Sequence, residues 1–404
     1  MLARVLLCIV FFVVIGMPQR ALAVPSDLPS LLFVTAAASE AAYSGELSEM
    51  LRARLVAAGW RIEGYETPGR RRTVGRFFHM VRTAPDGSET HLLSFPGTER
   101  GSDVWTDLRL GRAAVGGQTP TEVDEYGGRT AGEVIAAELR AHPSAKIYLT
   151  GHSLGGAAAT LAAARLADMG VSPAQLEVVT FGSPALGNAA FVRAYADKFT
   201  LHRVVMQGDP MKDLLAAPLG FRQFGERIAW HPAPSVAAFP HAMIVYVDAA
   251  IRQLYDSAGT DSFLFLAAQP NRAAGQTVYV APIAVDVEGV LEADAPYMKA
   301  LLRDALYARN AATVFSATGS GLSETGLLSE LEEHLAAAQE AGATMLYAYR
   351  ISGAKVRDQR ETYRLTLERA VYDMEGNLVA ASSRSQVTGM LTPIETILYL
   401  FTQD

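Results

Sequence analysis

The hexapeptide Gly-His-Ser-Leu-Gly-Gly at residues 151–156 constrains the fold more than any other part of this 404-residue sequence. It follows an apolar run at 146–150, which predicts a strand, and precedes an alanine-rich stretch at 154–169, which predicts a helix. A Gly-x-Ser-x-Gly turn in this position forces its serine into a strained, exposed place above the sheet. The motif therefore predicts a nucleophilic Ser153, with a glycine-rich turn lacking any chemistry as the alternative.

Strands and helices alternate on both sides of this motif. Such alternation is typical of a mainly parallel sheet covered by helices, and together with the serine turn it predicts an α/β-hydrolase fold. The predicted strands are 60–65, 76–82, 91–95, 176–181 and 201–206, and the predicted helices are 31–59 and 130–141.

The texture of the sequence changes after about Asp256, where turn-rich segments surround a short apolar run. We place a domain boundary there, which gives a hydrolase domain at 24–268 and a second, smaller α/β domain at 269–404. The second domain is predicted to contain strands at 278–287, 313–316, 344–350, 363–372 and 378–386, with helices at 296–309 and 326–341.

The first 23 residues have the features of a cleaved secretion signal: a positive start, an apolar core of about 11 residues and a small-residue site ending at Ala23. That core is too short to span a bilayer. We therefore expect a periplasmic or secreted protein. The single cysteine, Cys8, lies in the signal, so the mature chain has neither disulfides nor a thiol nucleophile.

The charge balance argues against a nucleic-acid partner. The sequence has 35 lysines and arginines against 42 aspartates and glutamates, whereas phosphate binding needs clustered cations. The arginines at 70–72 could attract anionic headgroups, although a solvated loop explains them as well. Asp103 and Asp107 are too few for a calcium loop, and we expect neither a metal nor a cofactor.

A serine hydroxyl needs a base to take its proton and an acid to orient that base. In α/β hydrolases the acid and then the histidine follow the serine along the chain. Asp209 comes directly after the predicted strand 201–206, at the rim of the sheet where Ser153 is expected. A turn aspartate is the alternative, because Gly-Asp-Pro suits a turn.

Three histidines follow this candidate acid. His241 comes after a proline-rich loop, so its ring can be aimed at the rim, and His231 is the fallback. His334 lies on a charged helix face and is expected to be solvated. His152 is expected to support the turn beside the nucleophile, and His202 to be an ordinary strand residue.

Residues 31–246 resemble the class 3 lipases, the family of fungal-type triacylglycerol lipases. The resemblance is carried by the motifs at 148–157, 181–188, 208–210 and 218–226, and by a histidine five residues before Tyr246. It implies that Ser153 is the nucleophile, Asp209 the acid and His241 the base.

The same resemblance implies an oxyanion hole made by Leu154 and Thr98, with Pro96 in place of the family's usual arginine. It also implies a short lid, in which Val104, Trp105 and Leu108 would form one apolar helical face. A buried core helix explains those three residues almost as well.

The C-terminal part resembles, more faintly, envelope modules of the penicillin-binding-protein activator, curli-secretion and TolB amino-terminal type, on the segments 341–344 and 372–380. This implies a binding module with an envelope partner.

The sequence as a whole predicts a serine hydrolase of carboxylic esters, with a lipid or small ester as substrate and peripheral contact with membrane lipid. A thioesterase or acyltransferase on the same three residues is one alternative. An envelope-binding protein with a vestigial hydrolase domain is another.

Overall fold

The computed structural model of the chain describes residues 27–68, 74–84, 86–97, 131–213, 220–258, 277–310, 312–316, 318–357 and 359–403. The predicted secretion signal, the predicted lid and the arginines at 70–72 lie outside these ranges. Within them, no helix combines the length and the apolar character needed to cross a membrane.

The first half of the chain builds a seven-stranded sheet whose spatial order follows the chain. The first three strands pair antiparallel, and the third to seventh pair parallel. Central parallel strands are covered on both faces, so they consist of nearly continuous apolar runs. The strands are β1 (Arg61–Pro68), β2 (Val74–Thr83), β3 (Glu89–Phe95), β4 (Lys146–His152), β5 (Leu176–Phe181), β6 (Thr200–Met206) and β7 (Glu226–Trp230).

Helices cover both faces of this sheet. On one face lie α1 (Leu28–Ala41), α2 (Glu46–Ala57) and α6 (Met243–Ala258). On the other lie α3 (Ala131–Ala141) and α4 (Leu154–Asp168), while the short α5 (Ala189–Tyr195) follows β5. This arrangement confirms the α/β-hydrolase fold class predicted from the sequence.

The rest of the chain forms a second, six-stranded sheet. The predicted strand 278–287 is in fact two short strands, separated around Pro282. The elements are β8 (Thr277–Val280), β9 (Ala284–Val287), α7 (Ala295–Arg309), β10 (Ala312–Phe315), α8 (Leu331–Glu340), β11 (Met345–Lys355), β12 (Tyr363–Tyr372), β13 (Leu378–Val387) and α9 (Pro393–Thr402). The strands lie in the order β10-β8-β11-β12-β13, with β9 beside β11.

One apolar core passes between the two sheets. Buried residues of α1 and α6 belong to the same cluster as those of α7 and α9. Arg252 of α6 crosses this junction: its guanidinium contacts Asp248 at 2.6 Å and Asp294 at 2.7 Å. The predicted domain boundary at residue 268 lies outside the described residues.

Candidate active site

Ser153 occupies the sharp turn between β4 and α4. Its backbone has φ 56° and ψ −125°, in the left-handed half of conformational space that non-glycine residues rarely adopt. The turn passes so close to β3 that a Cβ atom on Gly155 would lie 2.1 Å from the backbone oxygen of Phe95. The glycine is therefore required by contact. The turn is strained as the motif predicts, but Ser153 is buried, at 8% exposed, and its hydroxyl faces His241.

Ser153, His241 and Asp209 form one hydrogen-bonded chain. Nε2 of His241 lies 3.2 Å from Oγ of Ser153, and Nδ1 lies 2.9 Å from Oδ2 of Asp209. An ionised carboxylate only accepts hydrogen bonds, so Nδ1 carries the proton. The lone pair of Nε2 is then directed at the serine hydroxyl, as proton abstraction from it requires.

Asp209 is held rigidly just after β6. Its side chain is buried, and it accepts hydrogen bonds from the Tyr246 hydroxyl at 2.6 Å and from the Met211 backbone at 2.8 Å. Burial alone would raise the pKa of Asp209, but the hydrogen bonds from His241 and Tyr246 outweigh it and leave the pKa below its ordinary value. The carboxylate is therefore ionised at neutral pH.

The backbone at Gly182 lies directly beside this carboxylate. Gly182 follows β5 with φ 55°, and a Cβ atom there would lie 2.6 Å from Oδ2 of Asp209 and 3.2 Å from Nδ1 of His241. A glycine at this position allows the acid and the base to meet.

His152 links the base to the loop after β3. Its Nε2 donates to the backbone oxygen of His241 over 2.7 Å, because a carbonyl can only accept. Nδ1 then accepts from the Tyr43 hydroxyl at 2.8 Å, and that hydroxyl oxygen accepts from the Gly97 N–H at 2.9 Å. Burial lowers the pKa of His152 to about 3, so the ring stays neutral and the chain persists.

The sequence does not single out Tyr43 or assign a role to Tyr246. Tyr43 lies far from the site along the chain, in the turn just after α1. The only sequence signal for Tyr246 is its place in the histidine segment of the lipase resemblance. Both act through hydrogen bonds to residues that the sequence does mark.

Leu154 begins α4 directly after the serine, so its backbone N–H lies at the amino end of a helix, where N–H groups are not used within the helix. Thr98, the other predicted oxyanion donor, lies outside the described residues. Its neighbour Gly97 is described and lies against the serine turn: a Cβ atom there would be 2.7 Å from the backbone oxygen of His152.

The remaining histidines lie elsewhere. His231 is exposed, and its Nδ1 pairs with the Gln207 side chain. His202 contacts Glu226 and Glu177 at 2.9 and 3.2 Å on the sheet surface. The expectation that His334 is solvated is wrong. The residue is only 3% exposed, because this face of α8 packs onto the second sheet. Its Nε2 pairs with a backbone oxygen at 2.9 Å.

The fold and site define an α/β protein with a serine–histidine–aspartate chain at the carboxyl ends of its parallel strands. Residues 128–217 match the family model of the class 3 lipases. The resemblance to this family is therefore confirmed over the segment that carries Ser153 and Asp209.

Individual relatives match shorter segments. A lipase of Caenorhabditis elegans, ZK262.3, is 48% identical over 71 residues, which cover 17% of this chain and 20% of that protein. A secreted mono- and diacylglycerol lipase of Fusarium solani is 37% identical over 89 residues, covering 22% of this chain and 26% of that protein. The matches thus span about a quarter or less of these relatives. The solved lipase of Rhizopus microsporus var. chinensis is similar with a TM-score of 0.38 and 22% identity, covering 50% of this chain and 74% of that one.

Proposed function

We propose that this chain is an exported hydrolase of carboxylic esters, with lipid esters as its substrate class, and that it works through an acyl-enzyme formed on Ser153. The observation that carries the proposal is the hydrogen-bonded chain from Ser153 through His241 to Asp209, built on a strained serine turn. A serine in this setting is an activated nucleophile.

The geometry supports the following sequence of steps. Oγ of Ser153 attacks the ester carbonyl carbon while Nε2 of His241 takes the hydroxyl proton. Asp209 stabilises the imidazolium that forms. The bond to the alcohol then breaks, and His241 returns the proton to the departing alkoxide. Water repeats the cycle and releases the acid.

Negative charge on the former carbonyl oxygen needs donors beside Ser153. We assign this role to the backbone N–H groups of Leu154 and Thr98. Losing one such donor typically costs about 3–4 kcal/mol in the barrier. The hydrogen bond from Gly97 to Tyr43 fixes the backbone just before Thr98.

Lipid esters are favoured as substrates by similarity, since the Fusarium solani relative is named a secreted mono- and diacylglycerol lipase. The signal-like residues 1–23 support export to the periplasm or beyond. Peripheral contact with membrane lipid, and an envelope partner held by residues 269–404, complete the proposal.

Labelling of the full chain with a serine-directed fluorophosphonate tests this function directly. We expect one adduct on Ser153 and hydrolysis of short nitrophenyl esters. Ser153→Ala should lose the adduct and at least about a thousandfold in turnover while staying folded. His231→Ala, an exposed change close in sequence to the base, serves as the matched control and should label normally.

Other outcomes would select the alternatives. A folded wild-type chain that neither labels nor hydrolyses any ester would identify a vestigial hydrolase domain. Faster turnover of thioesters than of matched oxygen esters would identify a thioesterase, and transfer to an added alcohol in preference to water would identify an acyltransferase.

A further inference from the structure

A second group of chemically active side chains lies away from Ser153, at the beginning of β3. Glu89 and His91 come from that strand and Glu138 comes from α3. One ligand atom of each lies within 4.8 Å of the others. We refer to these three residues as the 89/91/138 cluster.

A neighbouring histidine, His79, fixes the orientation of the His91 ring. Its side chain is 2% exposed, and its Nδ1 lies 3.1 Å from Nε2 of the buried His79. Nε2 therefore faces the two carboxylates. It lies 3.7 Å from Glu89, too far for a hydrogen bond, and none joins it to Glu138 in the described part of the chain.

His202 provides a contrast within the same sheet. It also stands between two glutamates, but both of its ring nitrogens are hydrogen bonded, to Glu177 at 3.2 Å and to Glu226 at 2.9 Å. Both ring nitrogens of His202 therefore already have hydrogen-bond partners within the protein. In the 89/91/138 cluster a buried imidazole nitrogen instead faces two carboxylates across a gap.

We propose that the 89/91/138 cluster binds a divalent transition-metal ion, with Zn²⁺ as the best match. Zn²⁺ takes imidazole nitrogen and carboxylate oxygen ligands at about 2.0–2.2 Å, and three protein ligands leave a position for water. Ca²⁺ prefers six to eight oxygens and fits less well. Closing the gap needs movements of about 1 Å, which the half-exposed Glu89 and Glu138 side chains allow.

The second ring nitrogen of His91 also suits this role. Metal-binding histidines commonly use their other nitrogen in a hydrogen bond that fixes the ring. His79 supplies that partner here. Metal binding favours the His91 tautomer with its proton on Nδ1. This tautomer donates from Nδ1 to His79 and presents the Nε2 lone pair to the metal.

The ion would hold α3 against β3 and so cross-link residues 91 and 138. His91 pairs with Ile147 and Phe95 with Gly151 in the parallel register of β3 and β4, so the cluster lies about 13 Å along the strand from the serine turn. Its role is therefore structural. The sequence-based expectation of no metal considered only Asp103 and Asp107, whereas these three ligands come together only in the fold.

Equilibrium dialysis with Zn²⁺ tests the proposal on the full, chelator-treated chain with any purification tag removed. We expect one Zn²⁺ per chain and a melting temperature that rises with Zn²⁺ concentration, as for any ligand of the folded state. Glu138→Gln and His91→Gln should each weaken binding by at least about tenfold. His202→Gln is the matched control and should bind as wild type does.

Circular dichroism separates loss of binding from loss of folding, and the half-exposed Glu138→Gln carries the test if His91→Gln fails to fold. Absence of Zn²⁺ binding by the wild type would overturn the proposal. Equal binding by Glu138→Gln and wild type would also overturn it, because the ion would then be on the general surface.

Discussion

The carboxylate of Glu361 accepts a hydrogen bond from the backbone N–H of Ala238, with 2.5 Å between Oε2 and the nitrogen. Glu361 lies in the turn between β11 and β12, with a left-handed backbone at φ 46°. Ala238 lies in the segment after β7, just before His241. The second sheet therefore contacts the segment that carries the candidate base.

Glu361→Ala should lower kcat/KM for a short ester by about three- to tenfold and leave KM nearly unchanged. Loss of one charge-assisted hydrogen bond loosens the position of His241, which affects proton transfer more than substrate binding. Glu375→Ala, in the exposed turn between β12 and β13, is the control. Equal kcat/KM for the two variants would show that the contact does not position the base.

Asp209→Asn should reduce turnover by about 10³–10⁴-fold, because an amide NH2 that donates to Nδ1 leaves the His241 proton on Nε2, where the ring cannot take the serine proton. His202→Ala and His231→Ala should each change turnover by less than about tenfold, since neither ring touches Ser153. Steady-state kinetics on a soluble ester measures all three. An inactive but folded His231→Ala would mean that the base is assigned to the wrong histidine.

Tyr43→Phe should lower kcat by about tenfold or more without unfolding the chain. The change leaves the Gly97 N–H and Nδ1 of the buried His152 without their partner, and so loosens the loop before Thr98. Tyr195→Phe removes a comparable hydroxyl, bonded to Asp168 at 2.9 Å on the surface, and should have no effect on kcat. Matching kinetics in the two variants would contradict a positioning role for Tyr43.

Strands with strong apolar patterns are predicted well. β5 and β12 begin and end where the sequence places them, because the edges of their buried runs coincide with turn residues. The predicted helix 31–59 is instead two helices, since Gly45 has φ 122° and interrupts the helical pattern. The sequence leaves α6 open as helix or strand and does not predict α9, although the start of α9 is marked locally by Pro393 and by a capping box of Thr392 and Glu395.

The candidate site likewise contains some residues that the sequence predicts and others that it does not. The local motif and the chain order predict Ser153, Asp209 and His241, and the structure brings these three together. Tyr43 meets His152 only through tertiary packing, and no local pattern marks it. Residues whose role depends on distant packing cannot be found from their neighbours in sequence.

Glu40 should make stability depend on pH. It is buried in α1, and burial raises its pKa from 4.5 to about 7 despite a hydrogen bond from Ser48. A group with a raised pKa in the folded state contributes stability below pH 4.5 that is lost as the pH rises through about 7.

Glu40→Gln should therefore raise the free energy of unfolding at pH 8 by at most about 3 kcal/mol and change it little at pH 4.5. Urea denaturation at the two pH values measures the difference. Glu288→Gln, which makes the same carboxylate-to-amide change at an exposed position, is the control. A Glu40→Gln effect of equal size at both pH values would contradict the titration.

Phe401 of α9 tests whether the two sheets are energetically coupled. It is 4% exposed, its ring lies 3.9 Å from the guanidinium carbon of Arg309, and its apolar cluster reaches α1 and α6. Phe401→Ala should lower the free energy of unfolding by about 3–5 kcal/mol. Met390→Ala, at a position 81% exposed, should change it by less than about 0.5 kcal/mol.

Tryptophan fluorescence makes this test specific to the first part of the chain. All three tryptophans, Trp60, Trp105 and Trp230, precede the predicted boundary at residue 268. Their fluorescence follows the unfolding of the first part of the chain alone. Since one core joins the two parts, we expect Phe401→Ala to move the tryptophan midpoint in urea as far as the circular-dichroism midpoint. A tryptophan midpoint that stays at the wild-type value would show that residues 24–268 and 269–404 unfold as independent domains.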